Sequence, residues 1–310
     1  MILHNLRLTK IKEGVAVIKT IIDIKNFTYR YPRTKSLVLK DINVEIKQGE
    51  FVGIVGHTGA GKTTLCMAMC GLIPKVLGGK YEGEILINGK STENTDINEL
   101  IYSASEKKAF VGITFQDPEA QIVGMTVEED LAFGPENLGV KSEEIQERVQ
   151  WVLELIRMEN YRKAFPYKLS GGQKQRVGIG STMALRPQAI ILDEPTSELD
   201  PVGRYEVLSV IRELKEQNLS VIIVEHNTEE LMNFVDRIIV LNDGEILMDD
   251  ETTKVFREVE MLRSIGVRPP DSVEFLDRLF KLGLISQLYD SFDEQSLINN
   301  LVDNVRKAKQ

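Results

Sequence analysis

Three short, nearly unbroken apolar runs constrain the fold of this chain most strongly. They occupy residues 51–55, 189–192 and 221–224. Such runs are typical of parallel β-strands covered by helices on both faces, because neither face alternates with polar residues. Helical periodicity follows between them, as in residues 142–156, where Ser142 is the predicted N-cap. The sequence therefore predicts an α/β fold around a parallel sheet.

A second kind of β-structure is predicted before and beside these runs. In one segment Ile42, Val44 and Ile46 alternate with polar residues, which is typical of a strand buried on one face only. Residues 84–87 precede Asn-Gly, and residues 239–246 carry Asp-Gly, so each segment predicts a hairpin. We therefore expect antiparallel hairpins in addition to the parallel core.

Composition limits the class of protein. The 310 residues carry 38 basic and 47 acidic side chains, a net charge of −9, whereas nucleic-acid binders need clustered Lys and Arg; we expect no nucleic-acid partner. No apolar stretch reaches the roughly 18 residues that a membrane span needs, and no secretory signal is evident. Cys66 and Cys70 lie four apart on a predicted helix and are expected to pack on one face.

The chain divides into three predicted parts. Residues 1–20 form an N-terminal extension, residues 21–250 a large α/β domain, and residues 251–310 a small helical C-terminal domain reached through a linker at 266–270. A final helix is predicted from the spacing of Leu297, Leu301 and Val305.

Residues 56–63 fit the pattern G-x4-G-K-T between a buried strand and a helix. Glycines there let backbone N–H groups cradle phosphate oxygens at the helix N-terminus, with Lys62 reaching the β- and γ-phosphates and Thr63 holding Mg²⁺. Thr64 either joins this site or simply begins the helix. A phosphate loop alone leaves kinases, GTPases and ATPases open. The candidate nucleotide-binding residues are Gly56, His57, Thr58, Gly59, Ala60, Gly61, Lys62, Thr63 and Thr64.

A second glycine-containing helix start lies at Ser170, Gly171, Gly172 and Gln173. It offers another group of exposed backbone amides suited to an anion. One ATP does not need two such groups from one chain, so we expect this one to face the ATP of a second protomer. Read alone, the segment is also consistent with an ordinary helix cap, which is the less favoured interpretation.

Four polar residues follow strands of the predicted parallel sheet, at the edge where ligands gather. Asp193 is placed to hold Mg²⁺ through its water shell, and Glu194 to accept a proton from the attacking water. Gln116 follows another strand and is expected to contact the metal and that water. His226 is a candidate for the γ-phosphate, although a lone histidine is more often structural.

Taken together, these motifs resemble the nucleotide-binding domain of ABC proteins. Walker A corresponds to residues 56–63, the Q-loop to Gln116, the signature to 169–173, Walker B to 189–194 and the switch histidine to His226. The resemblance covers about residues 21–250 and implies a RecA-like parallel core, an antiparallel β subdomain and a helical subdomain over roughly 117–187. It also implies ATP and Mg²⁺ as cofactors.

Two details of this resemblance concern single residues. It suggests that Tyr31 stacks on adenine, with Tyr29 as the competitor. In the D-loop, residues 197–200, Glu198 departs from the family's small residue, which puts the detail of contacts between protomers in doubt.

Residues 115–122, 126–138 and 192–204 further resemble the ATPases of energy-coupling factor (ECF) transporters, including cobalt and nickel import ATPases. That implies a peripheral protein on the cytoplasmic face of the membrane that powers uptake of a metal ion or vitamin. Its partners would be a second ATPase protomer, identical or related, a transmembrane coupling subunit and a substrate-binding membrane subunit. The C-terminal helices would help hold the ATPase pair together.

An acidic surface for the coupling helices is expected at Asp117, Glu119, Glu128, Glu129 and Asp130, unless these side chains merely solvate a helix face. Two alternatives to the ECF class stay open. One is the ATPase of another ABC transporter class. The other is a soluble ABC ATPase of DNA repair, disfavoured because the segment between Lys62 and Ser170 is too short for long coiled coils.

Overall fold

The computed structural model describes residues 19–285 apart from 104, 106, 107 and 218. Almost all of the predicted N-terminal extension, and the helix predicted at Leu297, Leu301 and Val305, lie outside the described residues. The strands are β1 (Thr20–Arg30), β2 (Leu39–Lys47), β3 (Phe51–Val55), β4 (Lys80–Ile87), β5 (Lys90–Ser91), β6 (Tyr102–Ser103), β7 (Lys108–Ala109), β8 (Val111–Thr114), β9 (Ala189–Asp193), β10 (Ser220–Val224), β11 (Arg237–Asn242) and β12 (Glu245–Glu251). The α-helices are α1 (Lys62–Met69), α2 (Ile97–Ile101), α3 (Val127–Asn137), α4 (Ser142–Leu155), α5 (Gly171–Met183), α6 (Pro201–Lys215), α7 (Thr228–Met232), α8 (Thr252–Arg257), α9 (Val259–Ser264) and α10 (Asp271–Lys281).

The main sheet has the strand order β12-β11-β3-β10-β9-β8, and only β12 runs antiparallel to its neighbour. Every residue of β3, β9 and β10 is buried. Alternate residues of these strands belong to two different hydrophobic clusters, one on each face of the sheet. The α/β prediction from the apolar runs is therefore confirmed, because both faces are covered.

The second sheet has the order β2-β1-β4-β5 and is antiparallel throughout. The alternation predicted for Ile42, Val44 and Ile46 is present, since these side chains are buried while the intervening ones are exposed. The sheet packs with α1 and one face of the main sheet in a shared cluster. Cys66 and Cys70 are buried in that cluster, as expected.

Helices α3, α4 and α5 form a helical subdomain over the other face of the main sheet. Thr126 and Glu129 form a capping box at the start of α3. The predicted cap of α4 is wrong: Lys141 is the N-cap and Ser142 is already helical, with no side-chain cap. The first helical hydrogen bond runs from the Ile145 amide to the Lys141 carbonyl, so the chain enters the helix one residue earlier.

The C-terminal helices α8, α9 and α10 continue the hydrophobic core of the main body. Phe256, Leu262, Val273 and Leu276 are buried in the same cluster as the helical subdomain. The segment 266–270, predicted as a linker, separates α9 from α10. Within the described residues, this part therefore packs on the α/β body through side chains that are withdrawn from water.

The predicted acidic surface for a partner is wrong for Asp130. Its side chain is only 3% exposed. One carboxylate oxygen accepts the amides of Val123 and Gly124 at 2.8 and 3.0 Å, and the other accepts the Ser181 hydroxyl at 2.6 Å. Asp130 thus ties the segment before α3 to helix α5, because a buried carboxylate is stable only when such donors satisfy it.

The remaining acids of that set are also engaged, although Asp117 and Glu119 are exposed. Glu128 forms ion pairs with Arg162 and Lys163, and Glu119 pairs with Lys174. Glu129 belongs to the capping box of α3. Glu128 and Glu129 therefore stabilise the start of helix α3, and Asp117, Glu119 and Glu129 remain exposed to water.

We predict that Asp130→Ala lowers the free energy of unfolding by about 2–4 kcal/mol, because three donors lose their acceptor. Urea denaturation followed by circular dichroism measures the change. Glu136→Ala, at an exposed position of the same helix, is the matched control and is expected to change stability by less than about 0.5 kcal/mol. Equal stability of the two variants would contradict the role of Asp130 as a buried acceptor.

Candidate functional site

The carboxyl ends of four parallel strands meet at one edge of the main sheet. Val224 of β10 lies beside Ile54 of β3 on one side and beside Asp193 of β9 on the other, and Thr114 of β8 pairs with Leu192. The loops after these strands carry the phosphate-loop motif, the carboxylate pair, the switch histidine and Gln116. The edge where open α/β sheets bind ligands is therefore also where the sequence motifs converge.

The phosphate loop is shaped by close backbone contacts that exclude side chains. A Cβ on Gly56 would lie 2.1 Å from the Leu241 carbonyl oxygen. Gly61 has a φ of +105° and is the N-cap of α1. Positive φ at this junction needs glycine, which turns the chain so that backbone amides precede the helix N-terminus.

Lys62 lies inside this loop and is only 6% exposed. Its ammonium donates to the Gly56 and His57 carbonyls at 2.9 and 3.1 Å. Burial lowers the pKa of Lys62, and the nearby charges of Glu194 and Asp193 oppose that shift. The loop therefore positions a partly desolvated cation between carbonyls and carboxylates, where a polyphosphate would find strong electrostatic attraction.

Asp193 and Thr63 provide oxygen ligands suited to Mg²⁺. Asp193 is 3% exposed, and its Oδ1 is buried without a hydrogen-bond partner within the described residues. Burial raises the pKa of Asp193 above its usual 3.8, and the Thr63 hydroxyl opposes the shift. A divalent cation would satisfy this oxygen and favour its ionised form.

Gln116 lines a cavity of about 600 Å³ together with Thr63 and Asp193. The structure thus brings the three predicted metal-binding residues to one cavity. Among the described residues, no group of three or more His, Cys, Asp or Glu side chains forms a ready metal site. The arrangement therefore fits a cation that arrives with phosphate oxygens among its ligands rather than one caged by the protein.

Glu194 and His226 lie in direct contact. The imidazole Nε2 is 2.9 Å from the Glu194 carboxylate, and the histidine side chain is 49% exposed. Glu194 has a positive φ of +52°, an arrangement that costs about 1–2 kcal/mol for a residue with a side chain. Its amide donates to the Val224 carbonyl and its carbonyl accepts from Ser197, so hydrogen bonds on both sides hold this strained residue.

The signature segment starts helix α5. The Ser170 side chain accepts the Gln173 amide, and the Gln173 side chain accepts the Ser170 amide, which completes a capping box. Gly172 is buried, and a Cβ there would lie 2.7 Å from Gly203 Cα. The helix-cap interpretation therefore describes the local structure, while exposed Gly171 lines the cavity shared with Thr63 and Asp193.

The two candidate tyrosines differ in exposure. Tyr29 is fully buried and donates its hydroxyl to the Gly78 carbonyl at 2.8 Å. Tyr31 is half-buried, and its hydroxyl shares a hydrogen bond of 3.0 Å with Thr64 on α1. Tyr31 thus remains the residue that can present a ring beside the phosphate loop, and Thr64 is buried as its partner.

His57 turns its ring away from Lys62. Its Nδ1 lies 2.8 Å from the Thr58 carbonyl oxygen and its Nε2 lies 3.3 Å from Asp243 in the β11–β12 turn. Its contribution to the loop is the backbone carbonyl that Lys62 contacts, whereas Thr58 and Gly59 are exposed and Ala60 is buried.

The sequence analysis missed a buried polar cluster directly behind Glu194 and His226. Glu225 is 4% exposed and accepts both the amide and the hydroxyl of Thr196, at 3.0 and 2.7 Å. Glu230 lies 3.3 Å from the same hydroxyl and pairs with Arg204 at 3.6 Å. The available signal was a carboxylate at the end of a fully apolar strand, which seldom occurs without a specific partner.

Comparison with known proteins defines the family. A profile described as ABC transporter matches residues 39–197. The chain is 42% identical over 275 residues to a protein of Pyrococcus abyssi named as an ABC transporter ATP-binding protein, covering 88% of this chain and 96% of that one. It is 41% identical over 268 residues to the energy-coupling factor transporter ATP-binding protein EcfA1 of Caldanaerobacter subterraneus, covering 85% and 92%. The chain belongs to the ABC transporter family.

Solved structures agree with this assignment. CbiO1 from Clostridium perfringens, part of the ABC transporter complex cbiONQ, superposes with a TM-score of 0.67 at 30% identity, covering 86% of this chain and 100% of that one. The ATP-binding cassette MJ0796, a dimer in a post-hydrolysis state with ADP and Pi, gives 0.63 at 30% identity over 74% and 98%. The chain is thus an ATP-binding, ATP-hydrolysing subunit, and no helix among residues 19–285 that the structure describes is long and apolar enough to span a membrane.

The buried cluster makes stability depend on pH. Burial raises the pKa of Glu225 from 4.5 to about 7, with smaller contributions from the charges of Glu230 and Glu194. The folded chain therefore binds more protons than the unfolded chain between these values, and this group's contribution to stability falls as pH rises through that window.

We predict that Glu225→Gln gains stability relative to the wild type between pH 5 and pH 8, by at most about 2–3 kcal/mol. The amide keeps the acceptor oxygen and cannot ionise. Thermal unfolding across this pH range measures the difference. For Glu216→Gln, at an exposed position, the difference in stability from the wild type should not change with pH. A flat profile for both variants would show that Glu225 does not titrate in this range.

Proposed function

We propose that residues of the sheet edge bind and hydrolyse MgATP. Lys62 and the amides of residues 56–64 hold the β- and γ-phosphates, and Tyr31 stacks on adenine. Thr63, Asp193 and Gln116 hold Mg²⁺, which neutralises phosphate charge when bound. Glu194 accepts a proton from the attacking water, and His226 contacts the γ-phosphate. The 2.9 Å contact between Glu194 and His226, beside buried Lys62, is the observation that carries this assignment.

We further propose that the active unit is a pair of ATPase protomers, identical or related. In it, Ser170, Gly171, Gly172 and Gln173 of one protomer face the ATP held by Lys62 of the other. The dimeric state of MJ0796 supports pairing. ATP closes the pair because its γ-phosphate bridges both sides, and hydrolysis removes that bridge.

The C-terminal helix α10 offers a second contact for the pair. Val273 and Leu276 face the core of their own chain. Phe275 and Phe280 are 52% and 45% exposed on the same helix, and Leu282, just after it, is 72% exposed. Exposed apolar side chains of this density are typical of an interaction surface, which supports a role of residues 251–310 in dimerisation.

The transporter is proposed to be an importer of the ECF type, for a metal ion or a vitamin. Similarity to EcfA1 and to CbiO1 of the cbiONQ complex supports this class over other ABC transporters. The chain would lie on the cytoplasmic face of the membrane as a peripheral subunit. Its membrane partners would be a coupling subunit and a substrate-binding subunit, which selects the cargo.

Exposed apolar side chains near Gln116 support a docking surface for the coupling subunit. Val123, Met125 and Phe133 are 58%, 65% and 50% exposed. The Val127 amide donates to the Ala164 carbonyl, so this segment lies against the stretch that carries exposed Tyr167. The acidic contribution reduces to the exposed residues Asp117, Glu119 and Glu129, because Asp130 is buried and Glu128 is only partly exposed and pairs with Arg162.

We predict that Glu194→Gln lowers kcat for ATP hydrolysis about 10²–10⁴-fold with ATP affinity kept, because the amide cannot accept the proton. With MgATP this variant should accumulate as a dimer in sedimentation experiments. Lys62→Ala should instead lose ATP binding. Undiminished turnover by Glu194→Gln would reject the assignment of Glu194 as general base.

A second prediction concerns the membrane partner. Affinity purification from native membranes should recover integral membrane proteins with the full-length chain, and Phe133→Asp should lose them because a charge enters an apolar contact. The ATPase rate of the purified chain should be unchanged. Leu247→Asp, at an equally exposed apolar position on β12, is the control and should retain the partners. Recovery of only nucleic acid or non-membrane proteins would overturn the transporter proposal.

A further inference from the structure

Two loops at the sheet edge are joined by further contacts in addition to the one between Glu194 and His226. The turn after β9 contains Glu194 and Thr196, and the loop after β10 contains Glu225 and His226. Glu194 contacts His226, whose side chain is exposed, and Thr196 contacts Glu225, where both side chains are buried. The backbone bond from the Glu194 amide to the Val224 carbonyl lies between them.

The geometry follows from the alternation of side chains in extended backbone. Successive residues point to opposite sides, so His226 is 49% exposed while Glu225, one residue earlier, is 4% exposed. Thr196 is 2% exposed and gives both its amide and its hydroxyl to one Glu225 oxygen. Glu225 therefore reaches the turn of Glu194 from behind.

A carboxyl at this position is costly for stability. Burial disfavours its charged form, and Glu230 places a second carboxylate on the same Thr196 hydroxyl. That hydroxyl has one hydrogen and can donate to only one of them at a time. Arg204 and Asn227 offset the charge of Glu230, and in the described part of the chain neither forms a hydrogen bond or an ion pair with Glu225. An apolar side chain would avoid this cost, so a role beyond packing is indicated.

We propose that Glu225 is a positioning residue for ATP hydrolysis: by binding Thr196 it fixes the turn that carries Glu194 against the loop that carries His226. This rests on the proposed roles of Glu194 and His226. Because Glu194 is held at a positive φ, its carboxylate direction depends on the hydrogen bonds on either side of it. Glu225 accepts two hydrogen bonds from Thr196, which lies two residues after Glu194 in the same turn.

The test compares variants of the purified full-length chain. Glu225→Ala removes the acceptor of both Thr196 hydrogen bonds and is expected to lower kcat about 10–100-fold, because displacement of a general base by about 1 Å has effects of this size. KM and the affinity for the fluorescent analogue mant-ATP are expected to stay within about 3-fold of the wild type. Glu225→Gln keeps the acceptor oxygen and is expected to retain kcat within about 5-fold. Exposed Glu216→Ala is the control and should match the wild type.

A double-mutant cycle identifies the partner of Glu225. Thr196→Val removes the hydroxyl and keeps the amide, so a kcat loss smaller than that of Glu225→Ala is expected. The double variant should be no slower than Glu225→Ala alone, because both changes remove the same Thr196–Glu225 interaction. All assays are made well below the unfolding midpoint of each variant, measured separately.

The proposal would be overturned by a kcat of Glu225→Ala within about 2-fold of the wild type, by a Glu225→Gln variant as slow as Glu225→Ala, or by additive losses in the cycle. Loss of mant-ATP binding together with kcat in Glu225→Ala would also overturn it, as it indicates general damage to the site. The Glu194→Gln variant distinguishes failure of the proposed function from failure of the positioning role. If that variant keeps hydrolysis, the proposed function fails; if it is slow while Glu225→Ala is normal, only the positioning role fails.

Discussion

The pairing of β10 with both β3 and β9 is the constraint on which the site depends. In parallel register, Val224 lies between Ile54 and Asp193, so the loops that follow these three strands begin side by side. A shift of the register by one residue would reverse which side chains face the two hydrophobic clusters. Burial on both faces of the sheet therefore fixes the position of the nucleotide motifs as firmly as it fixes the core.

The charge balance at this edge follows from that register. Lys62 is desolvated inside the phosphate loop, and Asp193 is desolvated at the end of β9. Each is shifted toward its neutral form by burial and held toward its charged form by the other. Phosphate and a divalent cation would complement both groups together, which supports the proposal that this edge binds MgATP. This agrees with the ATP-hydrolysing class to which the chain belongs.

Sequence patterns predicted the features that depend on local spacing. Apolar runs predicted the buried strands, and the alternation of Ile42, Val44 and Ile46 predicted a strand buried on one face, both of which the structure contains. The prediction of Ser142 as the N-cap was wrong, because the preference of serine for N-cap positions does not decide where the first helical hydrogen bond forms. Asp130 was mistaken for a surface acid because helix α5, which supplies the Ser181 hydroxyl, packs over it from 51 residues further along the chain.

Glu225 and Thr196 show the same limit inside the site. They are 29 residues apart, and their contact exists only because β9 and β10 are neighbours in the sheet. The spacing of the motifs along the chain does not predict this strand order. Tyr29, in β1, and Tyr31, just after that strand, were left as alternatives for a related reason. Residues two apart in extended backbone point to the same side, and only the tertiary packing buries one of them.

The buried cluster also bears on how the two protomers of the proposed pair would communicate. Arg204, on the helix that follows the D-loop, pairs with Glu230, which shares the Thr196 hydroxyl with Glu225. Thr196 itself lies between Glu194 and the D-loop residue Glu198, which like Glu194 has a positive φ. Helix α6, which follows the D-loop, is therefore connected to the turn that carries Glu194 through the side chains of Arg204, Glu230 and Thr196.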